Sequence, residues 1–71
     1  MRVTYDPKAD AAYIYLGSKE AKAKKTYPCD PLEVNGMINL DFDENGILIG
    51  IEILDARAKL PKEILDIAEK I

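Results

Sequence analysis

The sequence predicts a single α+β domain, an antiparallel sheet of four to five strands with one C-terminal helix packed on one face. Apolar and polar residues alternate with a period of two in several segments before residue 55, which is typical of strands. Apolar residues near the C-terminus recur instead at helical spacing. The 71 residues allow one domain. A chain this short buries only about 60% of its unfolded surface and is marginally stable alone.

The first strand is expected at residues 2–5, where polar and apolar side chains alternate. Asp6 and Pro7 then predict a turn, because an Asp side chain can bond the backbone downstream, and Asp10 can do the same at the far end. The two aspartates are alternatively paired carboxylates for acid–base chemistry. Turn chemistry favours the structural interpretation.

The second strand is expected at residues 11–16 and a weaker third strand at residues 22–27. Several lysines and the following Pro28 suit the edge of a sheet, where charge and proline deter further pairing. The four lysines at 19, 22, 24 and 25 are more typical of a solvated edge than of a phosphate site. Residues 29–36 are expected to be irregular, since they contain proline and glycine.

The register of a hairpin decides which side chains face the core. Its strands, residues 37–42 and 47–54, are the strongest in the sequence, and Asn-Gly between them is a good hairpin signal. A two-residue loop pairs Phe42 with Ile49 and makes every facing pair apolar. A three-residue loop pairs Phe42 with Leu48 and sets a carboxylate beside an isoleucine. Because a one-residue slip turns a strand over, the sequence favours the first register, or a four-residue loop of the same parity.

Residues 41–52 match the calcium-binding loop of an EF-hand, with oxygen ligands at loop positions one, three, five and twelve and glycine at six. An EF-hand loop needs a helix on each side, whereas both flanking segments here are predicted strands. The hairpin explains the same residues without a metal. Asp41 and Glu52 still share a predicted face and are weak candidates for a loosely held divalent ion. The other interpretation is solvated carboxylates, because hard cations prefer six or more oxygens.

The C-terminal helix is expected to begin at Leu60 and Pro61, because proline is favoured at the first helical position. Glu63 lies early and Lys70 late, as the helix dipole prefers. A helix of about 11 residues is unstable alone and must pack on the sheet. The expected seat is the sheet face that carries four isoleucines of the last strand, Ile47, Ile49, Ile51 and Ile53.

The opposite sheet face is predicted to be too apolar for an ordinary solvated surface. Its apolar members are candidates for a subunit interface: Tyr13, Tyr15, Met37, Leu48 and Leu54. Small domains commonly need extra burial, which favours a homodimer. The alternative is scattered surface hydrophobics, which need no explanation.

Composition removes several classes of function. Histidine is absent, so a Ser-His-Asp or Cys-His site and an ordinary zinc site cannot be built. Cys29 is the only cysteine, and with no signal peptide it predicts a reduced thiol in a cytoplasmic protein. The net charge of -3 disfavours nucleic-acid binding, and no apolar run is long enough to span a membrane. The 32% of charged residues favours a thermophilic source.

Residues 6–16, with the sequence Asp-Pro-Lys-Ala-Asp-Ala-Ala-Tyr-Ile-Tyr-Leu, resemble the N-terminal signature of the YuzE-like family of small uncharacterised bacterial and archaeal domains. The resemblance extends to residues 39–41, 45–46 and 50–56. It implies that residues 1–71 form one compact domain and implies no established activity.

The function that the sequence favours is a non-enzymatic, self-associating protein-interaction module, with no cofactor, no metal and an unidentified protein partner. A small regulatory protein of antitoxin type, which neutralises a partner toxin, is an alternative that rests on size and acidity. A carboxylate-dependent enzyme is another. It would use Asp6, Asp10, Asp41 and Glu52, and it requires them to cluster in a concave pocket.

Overall fold

The computed structural model describes residues 1–18 and 20–71, so Lys19, the first of the four clustered lysines, lies outside the described residues. The described elements, in chain order, are β1 (Arg2–Asp6), β2 (Ala11–Tyr15), β3 (Lys25–Pro28), α1 (Pro31–Val34), β4 (Ile38–Phe42), β5 (Leu48–Leu54), α2 (Ala56–Lys59), α3 (Lys62–Ile67) and β6 (Glu69–Lys70). The strands form one sheet in the order β3-β4-β5-β2-β1-β6. As predicted, β3 lies at an edge, although it begins and ends later than expected.

The sheet is mixed, and the prediction of a purely antiparallel sheet is wrong in its last strand. The pairs among β1 to β5 are antiparallel, as expected. The sixth strand, β6, runs parallel to β1, with Thr4 opposite Glu69 and Tyr5 opposite Lys70. Beyond β6, the Ile71 amide donates to the Tyr5 carbonyl at 3.0 Å. The C-terminus therefore satisfies backbone groups that β1 would otherwise leave unpaired at its edge.

The single C-terminal helix of about 11 residues was also a wrong prediction. The four-residue α2 comes first, Pro61 is the N-cap of the six-residue α3, and Ala68 is already extended. The Lys70 ammonium donates to the carbonyls of Leu65 and Ala68, at 2.8 and 3.1 Å, and so caps the end of α3. The chain leaves the helix early because its last residues gain partners on β1.

Residues 29–36, expected to be irregular, contain the short helix α1. The Asp30 side chain accepts a hydrogen bond from the Leu32 amide at 2.9 Å, and Pro31 follows it, which is a favourable helix start. Asn35 ends the helix in the left-handed conformation, with φ of 51°. The prediction treated Pro31 and Gly36 as helix breakers and overlooked the helix start that Asp30 and Pro31 form together.

The β4–β5 hairpin combines both registers considered from the sequence. Ile38 pairs with Ile53 and Leu40 with Ile51, as the favoured register predicts. Phe42, however, pairs with Leu48 and not with Ile49.

The loop itself explains this change of register. The Asp43 amide donates to the Ile47 carbonyl at 2.9 Å, so three residues form the loop, and Gly46 within it has φ of 80°. Ile49 is then the extra residue of a β-bulge. The Ile49 carbonyl accepts the amides of Leu16 and Gly17, at 2.9 and 3.1 Å. The bulge thus restores the apolar pairing that the three-residue loop alone would lose.

The core is small and lies on one face of the sheet. Its buried members are Tyr5, Ala12, Ile53, Ala56 and Ala68. Leu60 and Leu65 pack against this cluster, as do Val3, Ile14, Ile38 and Ile51 from the sheet. The helices therefore cover the face of Ile51 and Ile53, as predicted, whereas Ile47 is 59% exposed.

Candidate functional site

The candidate site is the sheet face opposite this core, called here the open face. Successive side chains of a strand point to opposite faces of the sheet. The residues that alternate with core residues along each strand therefore lie on the open face. Its members include Arg2, Thr4, Ala11, Tyr13, Tyr15, Thr26, Asn39, Asp41, Gly50, Glu52 and Leu54. The described helices α2 and α3 contribute to the core on the other side.

One hydrogen-bonded bridge spans most of the open face. The Tyr13 hydroxyl on β2 donates to Oδ2 of Asp41 on β4 at 2.5 Å, and the Thr26 hydroxyl on β3 donates to Oδ1 of the same carboxylate at 2.6 Å. Gly50 of β5 lies beneath the tyrosine, and a Cβ at this position would overlap the phenol oxygen. Glycine is therefore what allows Tyr13 to cross β5.

Burial and the neighbouring carboxylate hold Tyr13 in its protonated form. Loss of solvent raises the pKa of the Tyr13 phenol first, and its hydrogen bond to Asp41 and the charge of that carboxylate raise it further. The hydroxyl is thus a fixed donor at neutral pH and is not suited to act as a base.

Glu52, the second predicted metal candidate, also has a hydrogen-bond partner within the chain. As expected, it lies opposite Asn39, whose Nδ2 donates to its Oε1 at 2.9 Å. In the loop, Asp43 Oδ1 accepts the amides of Asn45 and Ile47. Residues 1–18 and 20–71 contain no group of three or more His, Cys, Asp or Glu side chains arranged to hold a metal ion. The strands on both sides confirm that the EF-hand pattern here belongs to a hairpin.

The β1 side of the open face combines aromatic rings with a cation. The rings of Tyr13 and Tyr15 lie 4.6 Å apart between centroids, tilted by 56°. The Arg2 guanidinium lies 4.9 Å from the Tyr15 centroid and bonds Oε1 of Glu69 at 3.0 Å. The hydrogen bond and charge of Glu69 raise the pKa of Arg2. This end of the open face therefore exposes aromatic rings beside an arginine whose charge is paired with Glu69.

The structure brings together three of the five interface candidates. Tyr13, Tyr15 and Leu54 share the open face and are each half-buried. Met37, 53% exposed, precedes β4, and its carbonyl accepts the Leu54 amide. Leu48 lies opposite Phe42, because the bulge shifts the alternation of β5 by one residue. The expectation that Leu48 shares a face with the tyrosines is therefore wrong.

Asp6 and Asp10 accept hydrogen bonds from backbone amides, as the prediction of turn-forming aspartates expects. Asp6 Oδ1 accepts the amides of the two residues after Pro7. Asp10, with φ of 51°, accepts the Tyr5 hydroxyl at 2.7 Å and the Arg57 amide at 3.1 Å, and the Arg57 Nε lies 3.5 Å away. The Tyr5 bond is the main cause that lowers the pKa of Asp10. Asp10 therefore joins the first turn to the start of α2, apart from the carboxylates of the open face.

Sequence reasoning missed several partners in these networks, namely Tyr5, Thr26, Gly50 and Arg57. A signal existed for one of them, since a glycine inside a strand of branched apolar residues indicates close approach by another group. The other three depend on pairing across the sheet or on the approach of α2, which local patterns do not report.

Comparison with known proteins gives the chain a family. A model of proteins of unknown function, DUF2283, matches residues 2–57, which include β1 to β5. The chain belongs to the DUF2283 family. It is 41% identical over 56 residues to an uncharacterized protein of Methanocaldococcus jannaschii. That alignment covers 79% of this chain but only 41% of the archaeal protein. No solved structure matches the chain.

These matches support a small domain of unknown function, as the resemblance in the sequence implies. The DUF2283 match contains the whole bridge of Tyr13, Asp41, Thr26 and Gly50. Across the described residues, 1–18 and 20–71, no helix is long and apolar enough to cross a membrane.

Proposed function

We propose that this DUF2283 protein is a non-enzymatic interaction module that forms a homodimer through its open face. The observation that carries the proposal is its large surface. The chain exposes 5158 Å², whereas a compact monomer of this mass is expected to expose about 4,400 Å². The excess of about 750 Å² is close to the roughly 800 Å² that each partner buries in a standard interface.

The edges of the sheet are poor alternatives for pairing with a second copy. The outer strand β3 carries Lys25 and ends at Pro28, which lacks an amide hydrogen. At the other edge, β6 is only two residues long. Both features deter strand addition, so contact through a sheet face is the better route to further burial.

The open face suits burial against a copy of itself because its charged side chains Arg2, Asp41 and Glu52 already have partners within the chain. Asp41 accepts two hydroxyls, Glu52 accepts an amide, and Arg2 pairs with Glu69. Burying polar groups that are already bonded costs much less than burying free ones. Tyrosine and arginine are also enriched at interfaces, and a two-fold axis would pair the same patch on both copies.

Light scattering coupled to size exclusion tests this proposal on the wild type and two variants. Tyr15→Glu places a charge among the aromatic rings and is expected to give monomers. Tyr27→Glu is the matched control, because Tyr27 is 55% exposed and pairs with Leu40 on the other face. It is expected to remain dimeric. A wild type that stays monomeric at high micromolar concentration, or a dimeric and folded Tyr15→Glu variant, would contradict the proposal.

A further inference from the structure

A cleft lies on the core side of the sheet, where α2 and α3 meet β1 and β6. Its volume of 420 Å³ falls in the range of small-molecule sites, about 300 to 1,000 Å³. Three of its lining residues are largely apolar, namely Tyr5, Leu60 and Leu65. All three belong to the core cluster or pack against it, so the floor of the cleft is held in place by the fold.

The rim of the cleft is positively charged in a chain that is acidic overall. Arg57, Lys62 and Lys70 line it, and Asp66 is the one acidic residue among the described residues of its lining. Asp66 lies 3.6 Å from Lys62 and offsets that charge. Lys70 is oriented by neutral carbonyl oxygens, so its hydrogen bonds leave its charge in place.

The remaining cation, Arg57, is only partly engaged. Its Nε lies 3.5 Å from Asp10, yet its side chain is 73% exposed and retains further donors. With Asp10 included, the three cations Arg57, Lys62 and Lys70 still exceed the two acids, Asp10 and Asp66. The cleft therefore presents an apolar floor beside a surplus of positive charge.

We infer that this cleft binds a small amphipathic organic anion, whose apolar body lies on Tyr5, Leu60 and Leu65. Its carboxylate faces Arg57 and Lys70, which supply charge-assisted hydrogen bonds. The cleft is on the opposite side of the sheet from the open face, so this inference stands apart from the proposed dimer.

Titration with 4-phenylbutyrate, followed by amide chemical shifts, tests the inference on the full chain. Saturable shifts are expected in α2, α3 and β6. The neutral analogue 4-phenylbutanol is expected to bind about tenfold more weakly, since a hydrogen bond to a charged group is worth roughly that factor. Arg57→Gln is expected to weaken phenylbutyrate binding by a similar factor, and Lys62→Gln by less.

Lys22→Gln is the control, because Lys22 lies far along the chain in the loop before β3 and does not line the cleft. It should leave the affinity unchanged, and amide dispersion shows whether each variant is folded. Shifts that do not saturate, or that map to the open face, would overturn the inference. Equal affinities for phenylbutyrate and phenylbutanol would also overturn it. So would folded Arg57→Gln and Lys62→Gln variants that bind phenylbutyrate as tightly as the wild type does.

Discussion

At the scale of single residues, the open face is organised by Tyr13, which crosses β5 above Gly50 to reach Asp41. Asp10, directly before β2, accepts the Arg57 amide and so joins the first turn to α2. Both contacts link residues far apart in sequence. The turn role of Asp10 was predictable from its type, whereas its partner Arg57 was not, because that contact exists only once β5 has paired.

Gly50→Ala should destabilise the protein by about 1–3 kcal/mol, because the new Cβ displaces Tyr13 and leaves the Asp41 carboxylate without one donor. Urea denaturation measures the loss. In a Tyr13→Ala background the same change should be neutral or slightly stabilising, since alanine suits a strand better than glycine. An equal cost in both backgrounds would show that the clash with Tyr13 is not its cause.

Asp10→Asn should lower stability at neutral pH and have little effect in strong acid. The folded state lowers the pKa of Asp10, so its contribution is present above the ordinary carboxyl pKa and is lost as pH falls through the folded value. Asparagine tolerates the left-handed backbone, so the substitution isolates the charge. Denaturation curves from neutral to acidic pH measure the difference between variant and wild type. Asp66→Asn, in an exposed ion pair, should differ little from wild type throughout.

At the scale of elements, two departures from simple patterns shape the sheet. The bulge at Ile49 lets a three-residue loop coexist with apolar pairing farther along the hairpin. Side-chain parity therefore predicted the pairs of Ile38 and Leu40 correctly and the pair of Phe42 wrongly. The end of α3 was mispredicted for a different reason, since periodicity within 64–71 contains no information about the free edge of β1.

Gly46→Ala should cost about 1 kcal/mol, because a residue with a Cβ is strained at positive φ. Among the described residues, no atom beyond the two chain neighbours of Gly46 lies within 4 Å of the added methyl group, so the cost is a backbone effect. Gly46→Asn is the matched variant and should cost less, since asparagine visits this conformation more readily. Thermal denaturation of both variants checks the order. A larger loss with asparagine would contradict this account of the turn.

At the scale of the whole molecule, the protein is a thin slab of 32 × 29 × 18 Å, and the described helices α2 and α3 pack on the side opposite the open face. Strand patterns predicted five of the six strands that residues 1–18 and 20–71 form. The open face was expected to combine apolar side chains with Asn39, Asp41 and Glu52. The bridge from Tyr13 through Asp41 to Thr26 was not predicted, because it arises only when four strands align.

If folding and association are linked, the melting temperature of the wild type should rise with protein concentration. Tyr15→Glu should melt lower, with no dependence on concentration, whereas Tyr27→Glu should behave as the wild type does. Differential scanning fluorimetry over a wide concentration series makes the comparison. A wild-type melting temperature that is constant across the series would argue against a dimer coupled to folding.

Two copies of the protein are proposed to meet through their open faces. Isotope-filtered nuclear Overhauser spectroscopy on mixed labelled and unlabelled protein tests this proposal most directly, because it records only contacts between copies. Intermolecular contacts are expected from Tyr13, Tyr15 and Leu54 to the open face of the partner. Intermolecular contacts confined to β3, β6 or the helices, or none at concentrations where the dimer should be formed, would contradict the proposal.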